Sequence, residues 1–199
     1  MNDINKIVNL LKSRETVYAR KCKIGGVSLE DTTKFLNENH LQGSCRFQEV
    51  RIGLYYESKL ISLMTFGRPR YNKNYEYELL RYATTKNVVG GAERLFKYFV
   101  SKVHPNSIIS YCDRSKFLGK VYERIGFDID SRTTVPSCHW YNPKTGRHLT
   151  DNLVRQRGFD QIFGTNYGKG TSNRELLINE GFLPVYDCGQ SVYLWRNKQ

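Results

Sequence analysis

The chain has 199 residues, 39% of them hydrophobic, with 14 Tyr and 10 Phe, enough for a real core and too apolar for wholesale disorder. No run approaches the ~18 uninterrupted apolar residues of a helical membrane span, which excludes that class. Thirty-one Lys and Arg against 19 Asp and Glu leave a formal net charge of +12, which favours a polyanionic partner, DNA or RNA before an anionic membrane surface.

Ile4, Ile7, Val8 and Leu11 recur at helical spacing behind Asn2 or Asp3 as cap, so a short amphipathic helix is expected over residues 4–11. Its pattern is not the continuous apolar run of a signal peptide. Five scattered cysteines without a C-x-x-C pair then suggest free thiols in a reducing cytoplasm and no metal site. Residues 17–24 alternate as a first strand, ended by Gly25-Gly26. Ser28, with Asp31 three residues on, opens a helix over 29–39. Asn39-His40-Leu41-Gln42-Gly43 closes it, with His40 either a functional polar group or a helix cap.

Residues 50–56 and 60–66 read as two strands of an antiparallel hairpin around Glu57-Ser58-Lys59. The following loop, 68–75, carries Arg68, Arg70, Lys73, Tyr71 and Tyr75. Cations that neutralise phosphates, interleaved with rings that stack on bases, make it a candidate nucleic-acid contact; an ordinary solvated loop is the alternative.

The stretch 78–127 organises the rest. Residues 78–83 suit a central strand, Asn87-Val88-Val89-Gly90-Gly91-Ala92 a glycine-bearing turn, and Leu95, Phe96, Phe99 and Val100 lie at helical spacing. Residues 107–111 form a second buried strand, and 117–125 a second helix stopped by Gly126. Strand, glycine turn, helix, strand is a βαβ unit with parallel strands. The turn's backbone N–H groups, at a helix start, suit an anionic ligand.

After Phe127, residues 128–140 offer one or two edge strands interrupted by Pro136, and 142–146 a turn. Residues 158–170 read as largely loop, with Arg147, His148, Arg155, Arg157 and Lys169 along this stretch. Ser172-x-x-Glu175 is a capping box for a helix through Asn179, stopped by Gly181. Residues 185–187 and 191–195 then read as a final hairpin, with Leu176, Leu177, Ile178 and Trp195 docking this tail on the core. One domain is expected: an N-terminal helix (1–16), a core (17–141) and a C-terminal elaboration (142–199).

Two motifs carry a family resemblance. Asn87-Val88-Val89-Gly90-Gly91-Ala92 is similar, except at its first residue, to the pyrophosphate loop of the GNAT N-acyltransferase superfamily, (Gln/Arg)-x-x-Gly-x-(Gly/Ala). Val121-Tyr122-Glu123-Arg124-Ile125-Gly126-Phe127 resembles that family's Tyr-Glu-x-x-Gly-Phe signature, about 30 residues later with a helix and a strand between. Asn39–Gly43, Leu63–Gly67, Tyr77–Tyr82, Ser110–Arg114 and Tyr186–Gly189 further resemble a phage group of GNAT-like proteins, including the GNAT-like part of homing endonucleases; Mom-type DNA-modification acyltransferases share the core.

The resemblance implies an α+β fold: a mixed central sheet with splayed parallel strands, helices on both faces and an elaborated C-terminal helix-hairpin. It implies an acyltransferase using acetyl-CoA or a related acyl-CoA, acting on DNA in the cytoplasm of an infected bacterium. A non-catalytic DNA-binding module and a protein acetyltransferase directed at host defence stand as alternatives. Acyl transfer needs donors for the thioester carbonyl, a route for the amine's proton and an acid for the leaving thiolate. By the resemblance Tyr122 is the acid. Glu78 is a general base, Asp113 and Ser115, at the end of the second parallel strand, orient an acceptor or a cofactor, and Arg81 is the salt-bridge partner of Glu78 or Asp113 if the cluster is structural. The main chain around Arg81, Ala83 and Thr84 holds pantetheine, and Asn87, Val88, Val89, Gly90, Gly91 and Ala92 the pyrophosphate. Lys86 alone supplies charge at that loop, where Asn87 replaces Gln or Arg. His40, Arg68, Arg70, Tyr71, Lys73, Arg114, Arg147 and Arg155 are the expected DNA contacts.

Overall fold

The computed structural model describes residues 15–131, 134–154, 156–164, 167–168 and 170–197; the helix expected over 4–11 lies outside them. Among the described residues the chain divides into two compact units. The first runs up to Cys112 and adds Gly119–Ser131 and the chain from Val192; the second combines Asp113–Leu118 with Arg132–Ser191.

The first unit is built on a seven-stranded mixed sheet whose strands are, in spatial order, β2 (Lys23–Gly26), β3 (Val50–Tyr56), β4 (Lys59–Gly67), β5 (Tyr77–Thr84), β7 (Ser107–Asp113), β12 (Gln190–Arg196) and β8 (Asp128–Ile129). The expected first strand is broken in two. β1 (Thr16–Tyr18) ends in a 3-10 turn, Ala19–Lys21, before β2 (Lys23–Gly26). The break serves burial: Val17, Ala19 and Cys22 all enter the core, while β2 pairs antiparallel with β3 (Val50–Tyr56). Helix α1 (Leu29–Asn39) starts where expected, because Ser28 accepts a hydrogen bond from the Asp31 N–H at 3.0 Å. The hairpin from β3 to β4 (Lys59–Gly67) turns through Glu57 and Ser58 at φ 49° and 62°, the left-handed pair that matches strand twist.

β5 (Tyr77–Thr84) lies antiparallel to β4, with a bulge opposite Thr65/Phe66. Asn87–Val89, expected within a turn, is a short strand, β6, parallel to β1. Helix α2 (Gly91–Val103) then leads to β7 (Ser107–Asp113), which pairs parallel with β5. Helix α3 (Lys120–Arg124) is shorter than expected. Gly119 takes φ 74° within reach of the Tyr193 hydroxyl, where any Cβ would clash, so no helix can run through it. β8 (Asp128–Ile129) and β12 (Gln190–Arg196) complete the sheet.

Successive strand residues face opposite sides. Leu63 and Ala83 pack with Phe35 and Leu36 of α1; Met64, Phe66 and Leu79 pack with Leu95, Phe96 and Phe99 of α2. Both faces are therefore covered, and stacking of Phe66 on Phe99 fastens α2.

The second unit has its own core: Cys138, Trp140, Leu149, Val154, Phe159, Leu177 and Phe182. A three-stranded sheet pairs β9 (Cys138–Tyr141) with β10 (His148–Leu149) and with β11 (Leu183–Tyr186), all antiparallel. Helices α4 (Asp151–Val154), α5 (Gln156–Phe163) and α6 (Asn173–Asn179) accompany it. Three expectations are corrected here. Residues 156–163 are helical, not loop, because Phe159, Ile162 and Phe163 share a buried stripe that overrides Gly158. β11 and β12 form no hairpin: Asp187 accepts from Ser137 N–H and Gly189 N–H, both 2.8 Å, turning the chain out of one sheet and into the other. Leu177 and Trp195 do not share a core, since Leu177 sits in the second and Trp195 packs on Phe96 in the first; Ile178 is exposed. The Ser172–Glu175 capping box forms as expected.

Candidate functional site

β5 and β7 meet at only two register pairs, Tyr77↔Ile108 and Glu78↔Ile109. Beyond them β5 continues to Thr84 and β7 to Asp113 without a ladder between them. The two strands therefore open like a V. At its vertex the Ser110 hydroxyl, fully buried, donates to the Leu79 carbonyl at 2.8 Å, replacing the next ladder bond with a side chain. Ser110 was not among the expected site residues; its signal was a serine directly after the apolar pair Ile108-Ile109 in the strand SIISY.

Tyr122 comes to this vertex from α3. Its ring stacks on Tyr193 and meets Phe127 edge-on, and its hydroxyl hydrogen-bonds with Ser110. Burial pushes its pKa up to about 12, so the hydroxyl keeps its proton at neutral pH. Gly126 stops α3 as expected, with Phe127 N–H returning to the Tyr122 carbonyl at 2.9 Å.

Glu78 is wholly buried at the base of the V. Its expected partner, Arg81, is not the one it has. Arg70 donates its Nε (2.9 Å) and a terminal nitrogen (2.6 Å) to Oε1, and its backbone N–H (2.7 Å) to Oε2. Both carboxylate oxygens are thus engaged. Arg81 instead donates Nε to the Gly43 carbonyl at 3.0 Å and a terminal nitrogen to the Leu80 carbonyl at 2.8 Å.

A cavity of about 520 Å³ lies along the far end of β5, lined by Tyr82, Thr84, Asn87, Gly90, Val121 and Arg124 among others. Gly90 caps α2 at φ 74° with no side-chain hydrogen bond to the helix, leaving the first-turn N–H groups uncapped by side chains. A Cβ on Gly90 would meet only Ala19, at 3.9 Å, so its need for glycine is conformational. Asn87 donates its N–H to the Glu15 carbonyl, which removes it from the expected set of free donors. Lys86 pairs with Glu15, so its charge is already matched. Val88 is half-buried, Val89 exposed, and Gly91, Ala92 and Ala83 buried; Ala83 faces α1.

The remaining expected residues fall elsewhere. His40 caps α1 and accepts the Gln42 N–H. Arg68 is exposed beside Glu49 at 3.3 Å, and Lys73 is bound to the Pro69 carbonyl. Tyr71 is exposed, edge-on to Tyr111. In the second unit Asp113 accepts from Ser115 and, at 2.9 Å, from Lys116. Burial raises its pKa, but these hydrogen bonds outweigh it and hold the carboxyl below the ordinary value. Asp113 and Ser115 therefore cap a local turn. Arg114 gives its N–H to the Gly189 carbonyl, and Arg147 lies over the Phe163 ring. Arg155 lies outside the described residues.

No protein-family model matches the chain, and no curated protein sequence matches it. Solved structures do. A protein of Acinetobacter baylyi ADP1 assigned as an acetyltransferase shares 11% identity, covering 89% of this chain and 93% of its own, with a TM-score of 0.50. An acetyltransferase of Bacillus subtilis solved with CoA shares 9% over 89% and 98% (TM-score 0.45). The ribosomal-protein-S18-alanine N-acetyltransferase of Escherichia coli shares 10% over 88% and 93% (TM-score 0.45). Together with the mixed sheet, the helices on both faces and the V between β5 and β7, the first of these likenesses shows that the chain has the GNAT acetyltransferase fold.

Proposed function

We propose that this protein is an N-acyltransferase that takes its acyl group from a coenzyme A thioester and passes it to an amine on nucleic acid. The observation that carries acyl transfer is the V between β5 and β7, with a protonated Tyr122 at its vertex. The resemblance of Asn87–Ala92 to the GNAT pyrophosphate loop suggests the donor. The residues present suit that group: a glycine cap without a side chain, N–H groups of Gly90, Gly91 and Ala92 at the start of a 13-residue helix, and a cavity beside them. Main chain from Leu80 to Thr84, past the last register pair with β7, Glu78↔Ile109, would hold the pantetheine arm. A bound acyl-CoA would supply the activated acyl carbon.

The chain's own residues do the rest. Tyr122 holds a proton it can give to a departing sulfur, and Ser110 fixes the direction of that hydroxyl. While Arg70 occupies both oxygens of Glu78, the amine's proton leaves to solvent rather than to Glu78. The nucleic-acid acceptor rests on the net charge of +12 and on exposed Arg68 and Tyr71, not on a built groove.

Two measurements test this. Calorimetric titration with CoA should show binding in the wild type and none in Gly90→Glu, whose side chain would enter the anion cradle. Nucleosides from the DNA of expressing cells should carry an added acyl mass. CoA binding without that mass refutes the nucleic-acid acceptor alone; no CoA binding by folded protein refutes the transferase.

A further inference from the structure

Arg81 is a cation without a counterion. It is half-buried on β5, two residues past the vertex carbonyl of Leu79. Its hydrogen bonds go to two neutral carbonyls, Gly43 and Leu80, and among the described residues no carboxylate lies within ion-pair distance. The one carboxylate nearby, Glu78, is saturated by Arg70. Arg70, Arg81 and Glu78 thus leave one positive charge uncompensated beside the open V. Desolvation works against such a guanidinium, and Arg70 works in the same direction. Two carbonyl bonds engage two of five N–H donors, so the fork keeps capacity for a further acceptor.

We infer that Arg81 is an oxyanion anchor: the acceptor is an amine that carries a carboxylate or phosphate close to its nucleophilic nitrogen, and Arg81 binds that group. This rests on the acyl-transfer reading for the word acceptor, though not for the anion site, and it departs from the nucleic-acid acceptor, since base amines carry no anionic group beside the nitrogen. Glu78 cannot serve the same purpose for a cationic group, since Arg70 has closed it. Arg81 is a better anchor than the exposed Arg68, whose charge is screened and already near Glu49. The charge of Arg81 is also felt at the Tyr122 hydroxyl.

Cys45 reports on the site without any turnover. Burial raises its thiol pKa, while Arg81 and then Arg70 are the cations that lower it. An anion on Arg81 cancels that help, so less thiolate forms and alkylation slows. The test is iodoacetamide labelling of the folded wild type, read at Cys45 by peptide mass spectrometry, with and without phosphate or acetate at constant ionic strength. Slowing of about threefold or more in the wild type, with slower and anion-insensitive labelling in Arg81→Gln, is expected, since each thiolate fraction scales with local charge. Slowing by phosphate alone assigns a phosphorylated acceptor, and by acetate alone a carboxylated one. Arg81→Lys keeps the charge and should keep partial sensitivity, which separates anion binding from a role of Arg81 in bracing the β5 bulge. Equal slowing in Arg81→Gln, or none in the wild type, overturns the inference. Anion-sensitive labelling in a protein that binds no CoA would leave the anchor standing and remove only the transferase. If both stand, kcat/KM for phosphoethanolamine or β-alanine relative to ethylamine should fall in Arg81→Gln by about tenfold to a hundredfold, the range for a charged hydrogen bond. An unchanged ratio refutes the anchor as a specificity element.

Discussion

Removing Arg70 tests how the base of the V is held. Glu78 is fully buried, and Arg70 supplies three hydrogen bonds to it, two from the guanidinium and one from the backbone. Arg70→Ala deletes the two guanidinium bonds and leaves the backbone N–H on Oε2. Stranding a buried carboxylate costs about 3–5 kcal/mol when its partner is deleted. The surviving bond, and the one-third exposure of the Arg70 side chain, place this case at the lower end, about 3 kcal/mol. For a chain of this size that corresponds to a fall in Tm of roughly 6–12 °C. Urea denaturation and thermal melting at neutral pH measure it, with Glu78→Gln and the double variant closing the cycle. The double variant should recover about half of the loss or more, because the stranded charge is gone. A loss in Arg70→Ala below about 1 kcal/mol, or additive single losses, would refute the buried pair as the element that holds loop 68–75.

Tyr122→Phe should leave the ring packing on Tyr193 and Phe127 intact and lower kcat by about 10²–10⁴, the range for losing a general acid, in a thioester-cleavage assay; unchanged kcat removes Tyr122 from the chemistry. Its folded pKa of about 12 exceeds the ordinary 10.0, so its contribution to stability is intact below pH 10 and is lost as pH rises toward 12. The stability gap between wild type and Tyr122→Phe should therefore narrow over that window in urea titrations. A gap that is flat across it contradicts the burial of the hydroxyl. Asp113 titrates below the ordinary 3.8, so Asp113→Asn should be destabilised above that value and converge on wild type as pH falls through the depressed folded pKa; the same titrations show it. Leu177→Ala should cost about 2–5 kcal/mol in the second core. By hydrogen exchange, protection should fall first in β9 and α6, and equal loss across α2 would argue against separate cores.

Much of both units was legible where the signals are local. Ser28 and Ser172 mark helix starts through their own hydroxyls, and Gly126 and Gly181 mark stops through positive φ. The short connection Glu57-Ser58-Lys59 between 50–56 and 60–66 gave the hairpin, and Gly90-Gly91 ahead of an apolar helical stripe gave the glycine-capped start of α2. What failed was decided by neighbours distant in sequence. Gly119 shortened α3 because Tyr193 packs against it, a contact 74 positions away. Phe159 and Phe163 made a helix of residues that composition assigned to a loop, since their stripe had a core to face.

The sequence by itself determined the order of elements, the glycine cap and the position of Tyr122, because each rests on local backbone preference or on spacing within one element. Only the tertiary structure decided which carboxylate is closed and which cation is open. Arg70, not Arg81, reaches Glu78, and that depends on how loop 68–75 folds back on β5. Charge pairing is set by three-dimensional distance and by burial, neither of which a linear pattern contains.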